Sequence, residues 1–227
     1  MNQDQQESAE NSPGPEEDYL VDFDLNGDWL DLTLHKGTQA EARQLAMNLV
    51  EQFNPLSLDG GKAALQQELE RRALTAYESG PLLAVAAYTT GGAFLADLSV
   101  LAYGEDDVPR PSPEEYRHML LKWSYAEVKG EAKVTDVELP IGPAVRVQAV
   151  LAEKRRFGWG KKLSECLRYW VWPDGMEEIV LVEARWLNFE RADELTELVD
   201  RLMPTMRFLP VPAESGTDHA PESPSEP

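Results

Sequence analysis

The chain has 227 residues, with 41 acidic against 21 basic side chains and a formal net charge of -20. Hydrophobic residues make up 42% and charged residues 27%, the balance of a globular protein and not of a wholly disordered one. The charge excludes a general nucleic-acid binder, whose affinity rests on attraction to phosphate, and the single Cys166 excludes an internal disulfide framework.

Segments 1–18 and 213–227 carry six and four acids and no Lys or Arg. They hold too little apolar area to offset the entropy of ordering, so both are predicted to be disordered tails. A single domain is expected over 19–212, with a charge near -10 once the ten tail acids are set aside. No basic segment followed by an apolar one opens the chain, so no secretory signal is expected. The longest apolar stretch, 81–103, breaks at Thr89-Thr90-Gly91-Gly92 and contains Asp97. A membrane helix needs about 20 unbroken apolar residues. A cytoplasmic protein with no membrane segment is expected.

In chain order, Asp28–His35 alternates Leu30, Leu32 and Leu34 with Trp29, Asp31 and Thr33, which predicts a strand. Thr38 and Glu41 form a capping-box signal for a helix carrying Ala42, Leu45, Ala46, Leu49, Val50 and Phe53. Asn54-Pro55 ends it. A second helix is predicted over 62–78, with Leu65, Leu69, Leu74 and Tyr77 on its apolar face and Gly80-Pro81 as its stop. A hairpin follows over 82–102. Ser112-Pro113-Glu114-Glu115 predicts a third helix, carrying Tyr116, Met119, Leu120 and Trp123. Four strands are predicted next, at 134–139, 144–153, 163–172 and 177–187. A helix over 191–202 and a closing strand at 207–209 complete the chain.

Asp174-Gly175 signals a two-residue hairpin turn. That turn would set Trp172 opposite Glu177, Trp170 opposite Ile179 and Arg168 opposite Leu181. One face then carries Leu163, Leu167, Tyr169, Val171, Val180, Val182, Ala184 and Trp186. The other mixes Trp170, Trp172, Ile179 and Leu181 with Arg168, Glu183 and Arg185. Large apolar groups on both faces call for cover on both. The expected class is α+β: a largely antiparallel sheet with helices on both faces, a three-layer sandwich with a partly wet flank.

The early Trp strand, the two helices and hairpin, the sequence ELPIGPAVRVQAVL and the ending IVLVEARWL…ADELTELVDRLMPTMRFLP together resemble the PsbP-like fold. That fold is shared with the Ran-binding Mog nuclear-transport factor, and the chain is most similar in layout to a group of uncharacterised bacterial proteins. The matching pieces are Leu139–Arg146 and the strand–helix ending, and the resemblance spans about 29–210. Members of that fold are mostly binding modules, so the resemblance implies binding and carries over no catalytic residues.

The chemistry legible in the residues agrees with that implication. His35 and His118 have no second His at helical spacing, which gives no metal site. Cys166 sits mid-strand as a structural cysteine. Gly60-Gly61 and Gly91-Gly92 lack the Lys-Ser/Thr of a phosphate loop, and Glu105-Asp106-Asp107 reads as a solvated acidic loop. No nucleophile–base pair is visible, so no enzyme and no cofactor are expected.

One segment stands out. Lys154-Arg155-Arg156-Phe157-Gly158-Trp159-Gly160-Lys161-Lys162 puts five cations and two aromatics into nine residues of an acidic protein. Three readings stay open: a solvated hairpin tip, a tip on which the chain's own acidic tail docks, and a contact surface for an acidic partner. The third makes Arg155, Arg156, Phe157, Trp159 and Lys161 the partner-binding residues. It makes the protein a non-catalytic interaction module, an adaptor, chaperone or immunity-type protein that binds another protein. The aromatic sheet face with Trp170, Trp172 and Arg168 is the alternative surface. The competing expectation is a small-molecule-binding protein or enzyme with a cleft near Trp123, Trp170, Trp172 and Arg168.

Overall fold

A computed structural model describes residues 19–25, 27, 29–104, 108–154 and 161–210. Within them the order is β1 (Tyr19–Asp22), β2 (Trp29–Asp31), α1 (Gln39–Val50), α2 (Gly61–Tyr77), β3 (Leu83–Tyr88), β4 (Phe94–Tyr103), α3 (Pro113–Tyr116), β5 (Ala126–Leu139), β6 (Gly142–Lys154), β7 (Lys161–Val171), β8 (Ile179–Trp186), α4 (Ala192–Leu202) and β9 (Arg207–Pro210). Seven strands form one sheet in the order β2-β3-β4-β8-β7-β6-β5, and every neighbouring pair is antiparallel. β1 and β9 form a separate antiparallel ribbon. This is the α+β class that the alternation of strand and helix patterns implies.

Helices form where the local chemistry starts and stops them. The Thr38 hydroxyl accepts from Glu41 N–H at the head of α1. Glu41 reaches further back than a capping box requires, accepting from the backbone N–H of His35 and Lys36 at 2.8 and 2.9 Å. Those bonds hold its carboxyl below the usual range. α1 and α2 turn Ala42, Ala46, Leu49, Val50, Leu65, Leu69 and Ala73 onto Leu30, Leu32, Leu34 and Ala86 at the β2–β3 end of one sheet face. β3 is buried along almost its whole length, and small Ala84, Ala86 and Ala87 let other elements come close on both sides.

The opposite face carries the larger core. Leu98, Val100, Leu167, Val171, Val180, Val182, Ala184 and Trp186 meet Leu195, Val199, Leu202 and Met206. Polar contacts fix α4 in place: Arg146 donates to Asp200 at 3.1 Å, the Tyr169 hydroxyl donates to Asp200 at 2.5 Å, and Gln148 donates to Thr196 at 3.3 Å.

Two expectations are corrected. The third helix is a single turn, Pro113–Tyr116, held by a complete Ser112–Glu115 capping box. After it the chain steps through successive turns, Met119 N–H to Tyr116 O and Lys122 N–H to Met119 O. The β7–β8 register is also shifted by two residues: Trp170 faces Leu181 and Arg168 faces Glu183. β7 and β8 meet only from Val171 opposite Val180, so their connection is longer than a two-residue turn. An even shift keeps each residue on its own face, so the predicted face assignment stands.

The Leu139–Arg146 signature has a structural reason. Pro140 and Ile141 are the turn between β5 and β6, and Gly142 follows at φ +136°. A Cβ on Gly142 would collide with the carbonyl oxygen of Trp172. The Ile141 carbonyl meanwhile accepts from Asp174 N–H at 2.8 Å, so the two hairpin turns are packed together. Gly142→Ala is expected to cost at least about 2 kcal/mol. That corresponds to a melting-temperature loss of roughly 4–8 °C in a calorimetric scan of a chain this size.

Candidate functional site

The face that carries α1 and α2 at one end carries a second apolar cluster at the other. Strand pairing sets its residues in rows across β4, β8, β7 and β6. Leu101, Leu181, Trp170 and Val145 form one row, Ser99, Glu183, Arg168 and Val147 the next, and Asp97, Arg185, Cys166 and Ala149 a third. Apolar side chains thus give way, row by row, to charged ones.

The apolar rows are covered by the segment 108–125. Tyr116, Leu120 and Trp123 pack on Trp170 and Trp172, with the Tyr116 ring 5.1 Å from that of Trp170. Three hydrogen bonds tie the cover down. Trp172 Nε1 donates to Pro111 O at 2.7 Å, Arg110 to Pro173 O at 2.8 Å, and Arg168 to Lys122 O at 3.0 Å. Trp170, Trp172 and Arg168 are therefore 6%, 2% and 6% exposed. The alternative surface of the sequence analysis is the inside of this layer, and the space near Trp123 is filled by its own indole.

Arg168 begins a ladder of charge that leads out of the core. Its Nε donates to Glu183 at 2.5 Å, its guanidinium lies 4.2 Å from the Trp123 ring centre, and the Tyr125 hydroxyl donates to the same Glu183 at 2.8 Å. Arg185 follows, 3.7 Å from Glu183, 3.6 Å from Asp97 and 3.7 Å from Glu153. Arg72 of α2 completes it, 3.7 Å from Asp97, bound to Glu68 at 2.6 Å and stacked 3.2 Å over the Phe94 ring. Asp97 is crowded by protein yet keeps 41% of its side-chain surface open. Burial pushes its carboxyl upward, and Arg185 and Arg72 pull it back without cancelling the effect. Burial also opposes the charge on Arg185, but the carboxylate of Asp97 and the other groups around it raise its pKa further and keep it cationic.

Where the ladder reaches solvent there is a cleft of about 170 Å³. Its walls are Arg72, Phe94, Asp97, Glu153, Lys162, Ser164, Arg185, Trp186 and Leu187. Ser164 is 3% exposed, and its hydroxyl has no hydrogen-bond partner. Sequence reasoning placed Arg185 and Glu183 on a mixed face but gave Asp97, Glu153 and Ser164 no role. The available signal was Asp97, the one charged residue of β4.

The basic segment is described only at its ends. Arg155, Arg156, Phe157 and Trp159 lie outside the described residues, while Lys161 and Lys162 are exposed at the start of β7. Lys161 forms an ion pair with Glu127 of β5. β7 pairs with β8 only from Glu165 onward, so Lys161–Ser164 are held by β6 alone. That end of the sheet is an arm standing past β8. Leu163 on it is 47% exposed.

Among the described residues no three His, Cys, Asp or Glu side chains converge as metal ligands, and no helix is long and apolar enough to cross a membrane. The chain matches no family model and no curated protein.

Cys166 lies beneath the third row with no exposed surface, and burial first of all pushes its thiol well above the ordinary range. The thiolate is the reactive species. Cys166 should therefore resist a thiol-reactive dye at pH 8 in the native protein and react fully in urea. Rapid labelling without denaturant would contradict the enclosure described here.

Proposed function

We propose that the protein is a non-catalytic interaction module that takes an acidic partner protein on the end of the arm formed by β6 and β7. The observation that carries this reading is the overhang. Lys161 and Lys162 stand on a strand segment unsupported by β8, beside the connection whose sequence supplies Arg155, Arg156, Phe157 and Trp159. In a chain of net charge -20, such a patch attracts a negative surface that the rest of the molecule repels.

Other features support it. The thiol of Cys166 is enclosed, and His35 and His118 are exposed. The resemblance to PsbP-like and Mog-type binding modules points the same way, as does the α+β sandwich. An adaptor, chaperone or immunity-type role in the cytoplasm, with no cofactor, fits this set. The buried Trp170 and Trp172 then belong to the scaffold that holds the arm.

The test uses the full chain as bait in its native host. A partner with an acidic contact surface should be recovered by the wild type. Trp159→Ala should weaken its binding by about 2 kcal/mol or more, as expected of an aromatic anchor, with the circular dichroism spectrum unchanged. Reversing the charge of Arg155 and Arg156 should weaken it more at low salt than at high salt, where screening has already removed the attraction. Unaltered recovery by both variants, or unfolding of the Trp159 variant, would remove the arm from consideration.

A further inference from the structure

We propose that the cleft at the open end of the charge ladder binds a small free acidic amino acid, with one carboxylate on Arg185, Lys162 and Ser164, the other toward Arg72, and its ammonium between Asp97 and Glu153. Three features of the described residues carry this inference; Lys162 and Ser164 lie on the arm, but no partner protein is needed for it.

The first is unused hydrogen-bonding capacity. Arg185 faces three carboxylates at 3.6, 3.7 and 3.7 Å, each longer than a hydrogen bond. A guanidinium has five donors in a planar fork that matches a carboxylate. The charge of Arg185 is balanced by these carboxylates, and its planar fork has more donors than its long contacts occupy. By contrast, Arg168, one row further in, donates short hydrogen bonds to Glu183 and to the Lys122 carbonyl.

The second is Ser164. A buried hydroxyl without a partner is destabilising, and such groups in native proteins call for an explanation. Ser164 is the one residue of the cleft wall with this property among the described residues. It sits on β7 two residues from Lys162, on the same face, so one bound carboxylate can accept from both.

The third is the balance of charge and size. On the cleft wall Arg72, Lys162 and Arg185 stand with Asp97 and Glu153, while Glu68 backs Arg72 and Glu183 backs Arg185, so cations and acceptors alternate around the opening. A dianion such as phosphate would meet Asp97 and Glu153, whereas an acidic amino acid offers them its ammonium. The volume of about 170 Å³ equals the space of roughly six waters. That accommodates a free amino acid and lies well below the roughly 300–1,000 Å³ of sites for larger ligands.

Isothermal titration of the full chain with L-glutamate and L-aspartate tests this. Saturable one-to-one binding of at least one of them is expected, with Kd below about 1 mM. Succinate, which lacks the ammonium, and putrescine, which lacks the carboxylates, should bind at least tenfold more weakly. Lys162→Gln, at an exposed position, should weaken binding about tenfold, the scale of one charge-assisted hydrogen bond. Ser164→Ala should weaken it severalfold while leaving the melting temperature of the ligand-free protein unchanged or raised, since it removes an unsatisfied hydroxyl. Failure of both amino acids to saturate, or binding unaffected by both variants, would overturn the site. Equal binding of succinate or of inorganic phosphate would overturn the assignment of an amino acid.

Discussion

The pairing of β4 with β8 is the interaction on which the rest of the molecule depends. It runs from Ala96 opposite Trp186 to Tyr103 opposite Ile179 and joins two antiparallel meanders, β2-β3-β4 and β8-β7-β6-β5, that are far apart in the chain. Strands in the middle of a wide sheet are covered on both sides, so every residue along them answers to one layer or the other. Leu98, Val100, Val182 and Ala184 meet α4 on one side. On the other, Leu101 and Leu181 meet the segment 108–125, and Asp97, Glu183 and Arg185 fall between the two covering layers.

That gap explains why charge is tolerated in the middle of a sheet. An ion pair taken out of water is costly unless its remaining donors and acceptors are satisfied. Arg168 and Glu183 meet that condition through the Lys122 carbonyl and the Tyr125 hydroxyl, and in doing so they fasten the covering segment to the strands beneath. Two residues further along β8, Arg185 has company of opposite charge but looser geometry. One row of the sheet separates the structural Arg168 on β7 from the half-exposed Arg185 on β8.

Much of this architecture is written in periodicity. Alternation along β6 placed Val145, Val147, Ala149 and Leu151 on one face, and all four lie in one cluster. The bounds of α1, α2 and α4 follow from caps and apolar stripes close to the observed residues. The first half of β5, Ala126–Ala132, gave only a weak signal: Ala126, Val128 and Ala132 alternate with charged residues, but two of the three are alanines and Gly130 interrupts the run. Tyr116, Met119, Leu120 and Trp123 are spaced as in a helix, but past Tyr116 the chain goes on in separate turns, with Leu120 and Trp123 buried on the sheet. The cleft was illegible for a different reason. Asp97, Glu153 and Arg185 are brought together by strand order, and strand order is not a local property of sequence.

The ribbon of β1 and β9 has a consequence for how the molecule assembles and opens. Tyr19 lies opposite Pro210 and Val21 opposite Phe208, with Tyr19 and Phe208 in edge-on ring contact at 5.2 Å. These pairings have nearly the greatest separation in sequence that the described chain allows. Closing so long a loop is slow until the intervening structure is in place, so the clasp is the step that completes folding. It is short and held by Tyr19, Val21 and Phe208 with the Arg207–Asp22 ion pair, which also makes it the natural first site of local opening. Residues 1–18 and 211–227 are joined to the two strands of this clasp. Together they carry ten acidic side chains, and whatever pulls on or binds to either extension acts first on the hydrogen bonds that close the chain on itself.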